Sequence, residues 1–162
     1  MADQVRPVPE GFHTVTPHLV VREAKKAIDF YQKVFGADVK GVSYTPDGKV
    51  MHATLKIGDS LIMLNDEFPE RGALSPLSGG TTGFALHIYV DNVDPMFEQA
   101  TSAGATVKMP LMDTFWGDRY GQIVDPFGYK WSLATHIKDL TEEEIEEGAR
   151  QAFAQMSNKK TA

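Results

Sequence analysis

Chemistry in this chain has to run on imidazole, carboxylate and hydroxyl groups, because its 162 residues hold five histidines and 22 Asp or Glu but no cysteine. Disulfides, thiolate metal sites and cysteine nucleophiles are thereby excluded. Two histidines stand in matched places. His18 opens HLVV and His87 opens HIYV, and each short β-rich run is followed by a helical pattern. An imidazole works near neutral pH as a base or an acid and also binds divalent ions, so His18 and His87 are the first catalytic candidates. The alternative is a pair of hydrogen-bonded, half-buried histidines.

His52 lies in VMHATLKI, where strand alternation puts Met51, Ala53, Leu55 and Ile57 on one face and Val50, His52, Thr54 and Lys56 on the other. It joins a site if the polar face is concave and is inert if that face is solvated. His13 and His136 read as surface residues. A second cluster is Phe115, Trp116, Arg119 and Tyr120. Arg119 is suited to gripping a carboxylate or phosphate, with Trp116 and Phe115 as stacking walls and Tyr120 beside them. Alternatively, Arg119 pairs with Asp118 or Asp125 and only fixes the loop. Asp66 and Glu67 offer a displaced carboxylate or form a solvated loop pair. SGGTTG at 78–83 lacks the lysine and spacing of a phosphate loop, and no G-x-S-x-G occurs.

The elements that must position these residues repeat. HLVVREAKKAIDFYQKVFGADV from His18 and HIYVDNVDPMFEQATSAGATV from His87 align with one gap, a period of about 69 residues that occurs twice. In the first copy the residues predict a strand over 12–21. A helix follows on the stripe Ala24, Ala27, Ile28, Tyr31, Val34 and Phe35, with Gly36 as its stop, and then strands over 38–44, 50–57 and 60–65. The second copy predicts a strand over 84–90, a helix with Asp94 as N-cap and Pro95 next, and strands over 105–108, 121–124 and 129–134. Asp125-Pro126-Phe127-Gly128 makes the turn of the last hairpin. The expected fold is α+β, two tandem βαβββ modules forming mixed sheets with one helix each. The expected divisions are an arm over 1–11, modules over 12–65 and 83–137, a connector over 66–82 and a tail over 138–162. In the tail, Thr141 and Glu144 form a capping box that starts a helix over about 142–156, followed by a disordered 157–162. Its apolar stripe suits docking on its own body or on a second subunit.

The formal charge is −6. Six of the acids crowd into Asp139–Glu147, leaving the rest balanced and without a basic stripe, which argues against nucleic acid as a partner. No apolar run is long enough to span a bilayer and the first ten residues lack a signal-peptide core, so a cytoplasmic location and no membrane partner are expected.

VREAKKAIDFYQKVFGAD in the first module and DPFGYKWSL in the second resemble the vicinal oxygen chelate superfamily, the glyoxalase, bleomycin-resistance and extradiol-dioxygenase group. FALHIYVDNVD and FWGDRYGQIVDPFGYKWSLATHIKDLT resemble its PhnB-like branch. The resemblance implies cupped sheets, paired modules enclosing a cavity for a small-molecule ligand, and a homodimer. It also implies a divalent metal held by a His or Gln on the first strand of each module and a Glu or His on the last. Here those positions carry Thr16, Ala85 and Ser132, and 61–64 offers no acid or imidazole. All four depart from the pattern, so the cofactor is left open. Two functions follow: a lyase or isomerase with a non-standard or absent metal site, or metal-free sequestration of the bleomycin-resistance type.

Overall fold

The computed structural model describes residues 6–80 and 82–159. The chain folds as two compact units, one of residues 1–83 with 126–129, the other of residues 84–125 with 130–162.

In unit 1 the apolar stripe becomes helix α1 (Ala24–Phe35), all six of its predicted positions buried. Gly36 ends it in the left-handed region at φ 63°, its N–H bonded to the Gln32 carbonyl, a conformation that costs glycine nothing. The other end has no acid in its first turn and Glu23 at φ 55°. Its Ala24 N–H is met instead by Asp66 Oδ1 at 2.7 Å, while Asp66 Oδ2 takes the Val50 N–H at 2.7 Å. One carboxylate thus locks helix start to sheet.

That sheet contains β1 (His18–Val21), β2 (Asp38–Tyr44), β3 (Val50–Ile57) and β4 (Ser60–Asp66) in the order β1-β4-β3-β2, with β1 parallel to β4 and the other pairs antiparallel. Leu19, Val21, Ala53, Leu55, Ile62 and Leu64 are buried. The strand expected from residue 12 begins only at His18, after Pro17, which has no N–H to give a ladder. Met51 also departs from expectation. Between the pairs Ser43–His52 and Tyr44–Val50 the register slips, so Val50 turns inward and Met51 outward.

The connector holds a 3₁₀ turn (Pro69–Arg71) and the short α2 (Pro76–Gly79). Glu67 accepts the Ser75 N–H at 2.8 Å and its hydroxyl, and Arg22 reaches Ser78 Oγ at 2.7 Å. Within the same unit, Phe127 packs edge-on against Phe30 and Tyr31. The Tyr129 hydroxyl donates to the Val20 carbonyl and accepts from its N–H, both at 3.0 Å.

Unit 2 repeats the topology. Strands β5 (Ala85–Tyr89), β6 (Thr106–Asp113), β7 (Asp118–Val124) and β8 (Lys130–His136) run in the order β5-β8-β7-β6, with helix α3 (Val93–Ser102) between β5 and β6. The α+β fold of two βαβββ modules is thereby established. Val93, Ala100, Ile123, Trp131 and Leu133 form the core. Gly121 lets α3 come close, since a Cβ there would stand 2.6 Å from Phe97 Cε2. The N-cap is Asn92 rather than Asp94, and its side chain accepts from the Asp94 N–H at 3.3 Å. β6 runs to Asp113, and β7 begins at Asp118, three residues before the expected start. Pairing of Asp118 with His136 extends both hairpin strands.

Helix α4 (Glu142–Lys159) starts on the expected box, with Thr141 N–H donating to Glu144 Oε2 at 2.9 Å and Glu144 N–H to Thr141 Oγ1 at 3.2 Å. It continues through Ser157–Lys159, which were expected to be disordered; residues 160–162 lie outside the described residues. Gly148 meets Phe115, whereas Phe153 and Met156 are exposed. Among the described residues no helix is long and apolar enough to cross a membrane.

Candidate functional site

Each sheet keeps one face for the core and presents the other. In unit 2 the strand alternation brings Asp118, Tyr120 and Gln122 of β7, Ser132, Ala134 and His136 of β8, and Ala85, His87 and Tyr89 of β5 to the second face. Asp118 is its anchor. Only 1% exposed, its carboxylate accepts from Tyr89 Oη at 2.9 Å, Trp116 Nε1 at 3.0 Å and His136 Nδ1 at 2.8 Å. Burial pushes the Asp118 carboxyl up, but the bonds from His136, Tyr89 and Trp116 outweigh it and hold it below the usual range. The same carboxylate raises the Tyr89 phenol, and with Asp139 it raises His136. Asp139 Oδ1 accepts from His136 Nε2 at 2.9 Å, so both ring nitrogens are committed.

Above this anchor stand aromatic rings. Trp116 meets Tyr120 edge-on at 5.3 Å and Phe115 at 5.0 Å between centroids. His87 lies 4.5 Å from Tyr89 and 5.9 Å from Tyr120. The floor is polar: Gln122 Nε2 donates to Tyr120 Oη at 2.7 Å, and Tyr120 Oη lies 3.0 Å from Ser132 Oγ. Gln122, Tyr120 and Ser132 thus form one hydrogen-bonded chain in which either hydroxyl can be the donor to the other.

Unit 1 carries its own polar face. His18 Nε2 bonds Asn65 Oδ1 at 2.5 Å, His52 Nε2 lies 3.2 Å from Thr54 Oγ1, and the two imidazoles meet edge-on with centroids 5.6 Å apart. His52 therefore belongs to a side-chain cluster.

The fold thus gathers His87, Trp116 and Tyr120 on one sheet and His18 with His52 on the other. Arg119 points the opposite way from Tyr120. Asp94 holds it bidentately, through Nε and Nη2 at 2.7 Å each, and Asp113 takes Nη1 at 3.2 Å. These carboxylates, rather than Asp118 or Asp125, raise the Arg119 guanidinium further above its usual value. Asp66 and Glu67 are spent inside unit 1. Burial pushes the Glu67 carboxyl up, but its bonds from Ser75 and Ser78 and the charge of Arg22 bring it down to about 2.

The sequence offered Asp118 only as a partner for Arg119 and gave no role to Tyr89, Asn65 or a strand position for His136. Period-two spacing of Asp118 with Tyr120 and Gln122 was the available signal. It became visible only once β7 was extended to its true start.

A family model described as the Glyoxalase/Bleomycin resistance protein/Dioxygenase superfamily matches residues 11–133. The chain belongs to this superfamily. Among its relatives in sequence, an uncharacterized protein of Mycobacterium tuberculosis is 44% identical over 135 residues, 82% of this chain and 79% of its own length. Protein YjdN of Escherichia coli is 25% identical over 130 residues, 66% of this chain and 84% of its own. Among solved structures, TioX from Micromonospora sp. ML1 superposes with a TM-score of 0.60 at 26% identity, covering 80% of this chain and all of that one. A PhnB protein from Bacillus cereus gives a TM-score of 0.63 at 20% identity over 76% and 99% of the two chains, which speaks for the fold alone.

The donor set does not fit the divalent metal that the glyoxalase superfamily pattern implies. At the corresponding positions Ala85 has no donor atom, and Ser132 is 4% exposed with its hydroxyl engaged by Tyr120. Thr16 offers a hydroxyl, a weak ligand. Among the described residues no group of three or more His, Asp or Glu is arranged to hold a metal ion.

Proposed function

We propose that this member of the glyoxalase superfamily binds a small, flat, hydrogen-bonding molecule on the free face of the second sheet. The observation that carries this reading is Tyr89. Its ring is 61% exposed although its hydroxyl is tied to a buried carboxylate. An aromatic surface is thereby fixed in place at little entropic cost on binding. Trp116, Tyr120 and His87 extend that surface, and Gln122 and Ser132 supply polar groups that orient a ligand. Metal-free sequestration is the form of this function that fits the donor set. A homodimeric working form goes with it, supported by Phe84 at 52%, Val107 at 43% and Met112 at 49% exposure.

The test uses tryptophan emission. Trp131 is 2% exposed, so an added ligand reaches Trp116. A panel of aromatic acids, phenols and planar heterocycles is titrated with EDTA present. Saturable quenching that is lost in W116F and weakened in Q122A supports the reading. Quenching by no compound at millimolar concentration, or quenching indifferent to Q122A, rejects it.

A second reading, lyase or isomerase proton chemistry, is favoured by His87. It is the cross-strand neighbour of Ser132 and sits beside the Tyr120 hydroxyl chain. Turnover abolished in H87A with ligand binding retained would select it over sequestration.

A further inference from the structure

We propose that His18 and His52, with the thioether of Met63, form a binding site for monovalent copper on the free face of the first sheet. Asn65 fixes the tautomer of His18. Asn65 Nδ2 donates to the Asp66 carbonyl at 2.7 Å, which turns the Asn65 amide oxygen toward His18. An oxygen accepts, so His18 Nε2 carries the proton and Nδ1 carries the lone pair. This is how metal-binding imidazoles are prepared: the far nitrogen donates to a fixed acceptor, setting both ring orientation and ligand basicity. His52 Nε2 lies against the Thr54 hydroxyl, a group that can donate or accept, and among the described residues neither Nδ1 has a hydrogen-bond partner.

Spacing supports the pair. With metal–nitrogen bonds of about 2.0–2.1 Å, each ring centroid sits roughly 3.2 Å from the ion. With both Nδ1 atoms turned to one ion, the centroid separation of 5.6 Å matches a nitrogen–metal–nitrogen angle of about 120°. Register supplies the third donor. Met63 is the direct neighbour of His18 in β1 and of Thr54 in β3, and its flanking residues Ile62 and Leu64 are buried on the other face. The half-buried Met63 side chain therefore emerges between the histidine-bearing strands.

The donor chemistry selects the ion. Zinc closes a tetrahedron with four N, S or O ligands, usually including a thiolate or carboxylate. Here the face offers two imidazoles and a thioether, and Asp66 is occupied by two backbone N–H groups. Thioether with imidazole suits Cu(I). The site lies wholly within unit 1 and includes none of Thr16, Ala85 or Ser132.

The full chain is titrated anaerobically with Cu(I) under ascorbate, against bicinchoninate as competing chelator. The expected result is one copper per chain. H18A and H52A each weaken binding at least 100-fold, M63L weakens it about tenfold, and N65A, by releasing the tautomer, weakens it 10–100-fold. Zinc binds more weakly than copper. Because Cu(I) is diamagnetic, NMR should show the His18 and His52 ring signals moving while those of His87 and His136 stay. His18 is exposed, and H18Q and H52Q, checked by circular dichroism, guard against loss of fold. No competition with the chelator, binding unchanged in H18A and H52A, or ring shifts at other histidines would overturn the site.

Discussion

Asn in place of Asp118 tests the anchor of the second sheet, because three donors converge there on two oxygens. Trp116 Nε1 can only donate. It shares Oδ2 with the Tyr89 hydroxyl, while Oδ1 faces His136 Nδ1. In D118N the amide oxygen must therefore take the Trp116 side, and the NH2 must face His136. That imidazole can accept only in its neutral form, with its proton on Nε2 toward Asp139. The substitution should accordingly remove the first cause of the raised His136 pKa and lower its titration midpoint. A bond to a carboxylate contributes about 1.5–3 kcal/mol and a neutral one about 0.5–1.5, so the Trp116 and Tyr89 bonds together should lose about 2 kcal/mol.

The pH dependence follows from the directions of the shifts. His136, raised above 6.5, stabilises fully below 6.5, and that contribution disappears as pH rises through its folded value. Asp118, lowered below 3.8, stabilises above 3.8 and loses this as pH falls through its folded value. Urea unfolding of the parent chain should therefore show greatest stability from this cluster between about pH 4 and 6.5. The assay is proton NMR titration of His136 in both proteins, with urea midpoints at pH 5.5 and 8. An unmoved His136 midpoint in D118N, or equal urea midpoints, would refute the argument.

Two further predictions concern other parts of the chain. E67Q should lower stability at pH 7, with the difference from the parent fading as pH falls from 4.5 toward about 2, the depressed Glu67 value; equal urea midpoints at pH 7 would count against the Ser75–Glu67 clasp. Gly to Ala in a helix ordinarily gains about 0.5–1 kcal/mol, but G148A puts a Cβ 2.8 Å from Phe115 Cβ. Hydrogen exchange of α4 should become faster, and slower exchange would show that the helix tolerates the methyl.

The repeat, both module helices and the tail helix could be read from the sequence because each rests on local signals: the stripe of α1, the stop at Gly36 and the Thr141–Glu144 box. What escaped is set by pairing between strands. Nothing local to Met51 announces that Tyr44 will pair with Val50 and turn it outward. Asp118 looks like a loop acid until Asp118 and His136 are found opposite one another. Arg119 finds Asp94 from a distance of 25 residues, and Asn65 meets His18 from 47, separations that no short window spans. His18, His52 and His87 were visible as residue types, but their partners were not.

The partition of the chain also bears on how it could be cut. Unit 1 ends at residue 83 and resumes for four residues at Pro126, so a gene fragment stopping at the apparent module boundary would omit Phe127 and Tyr129. Such a fragment would remove the Phe127 ring from beside Phe30 and Tyr31, and would leave the Val20 N–H and carbonyl without the hydroxyl that serves both. The unit that was copied in the sequence is thus smaller than the unit that closes its own core, and a circular permutant opened within 126–129 would damage both halves at once.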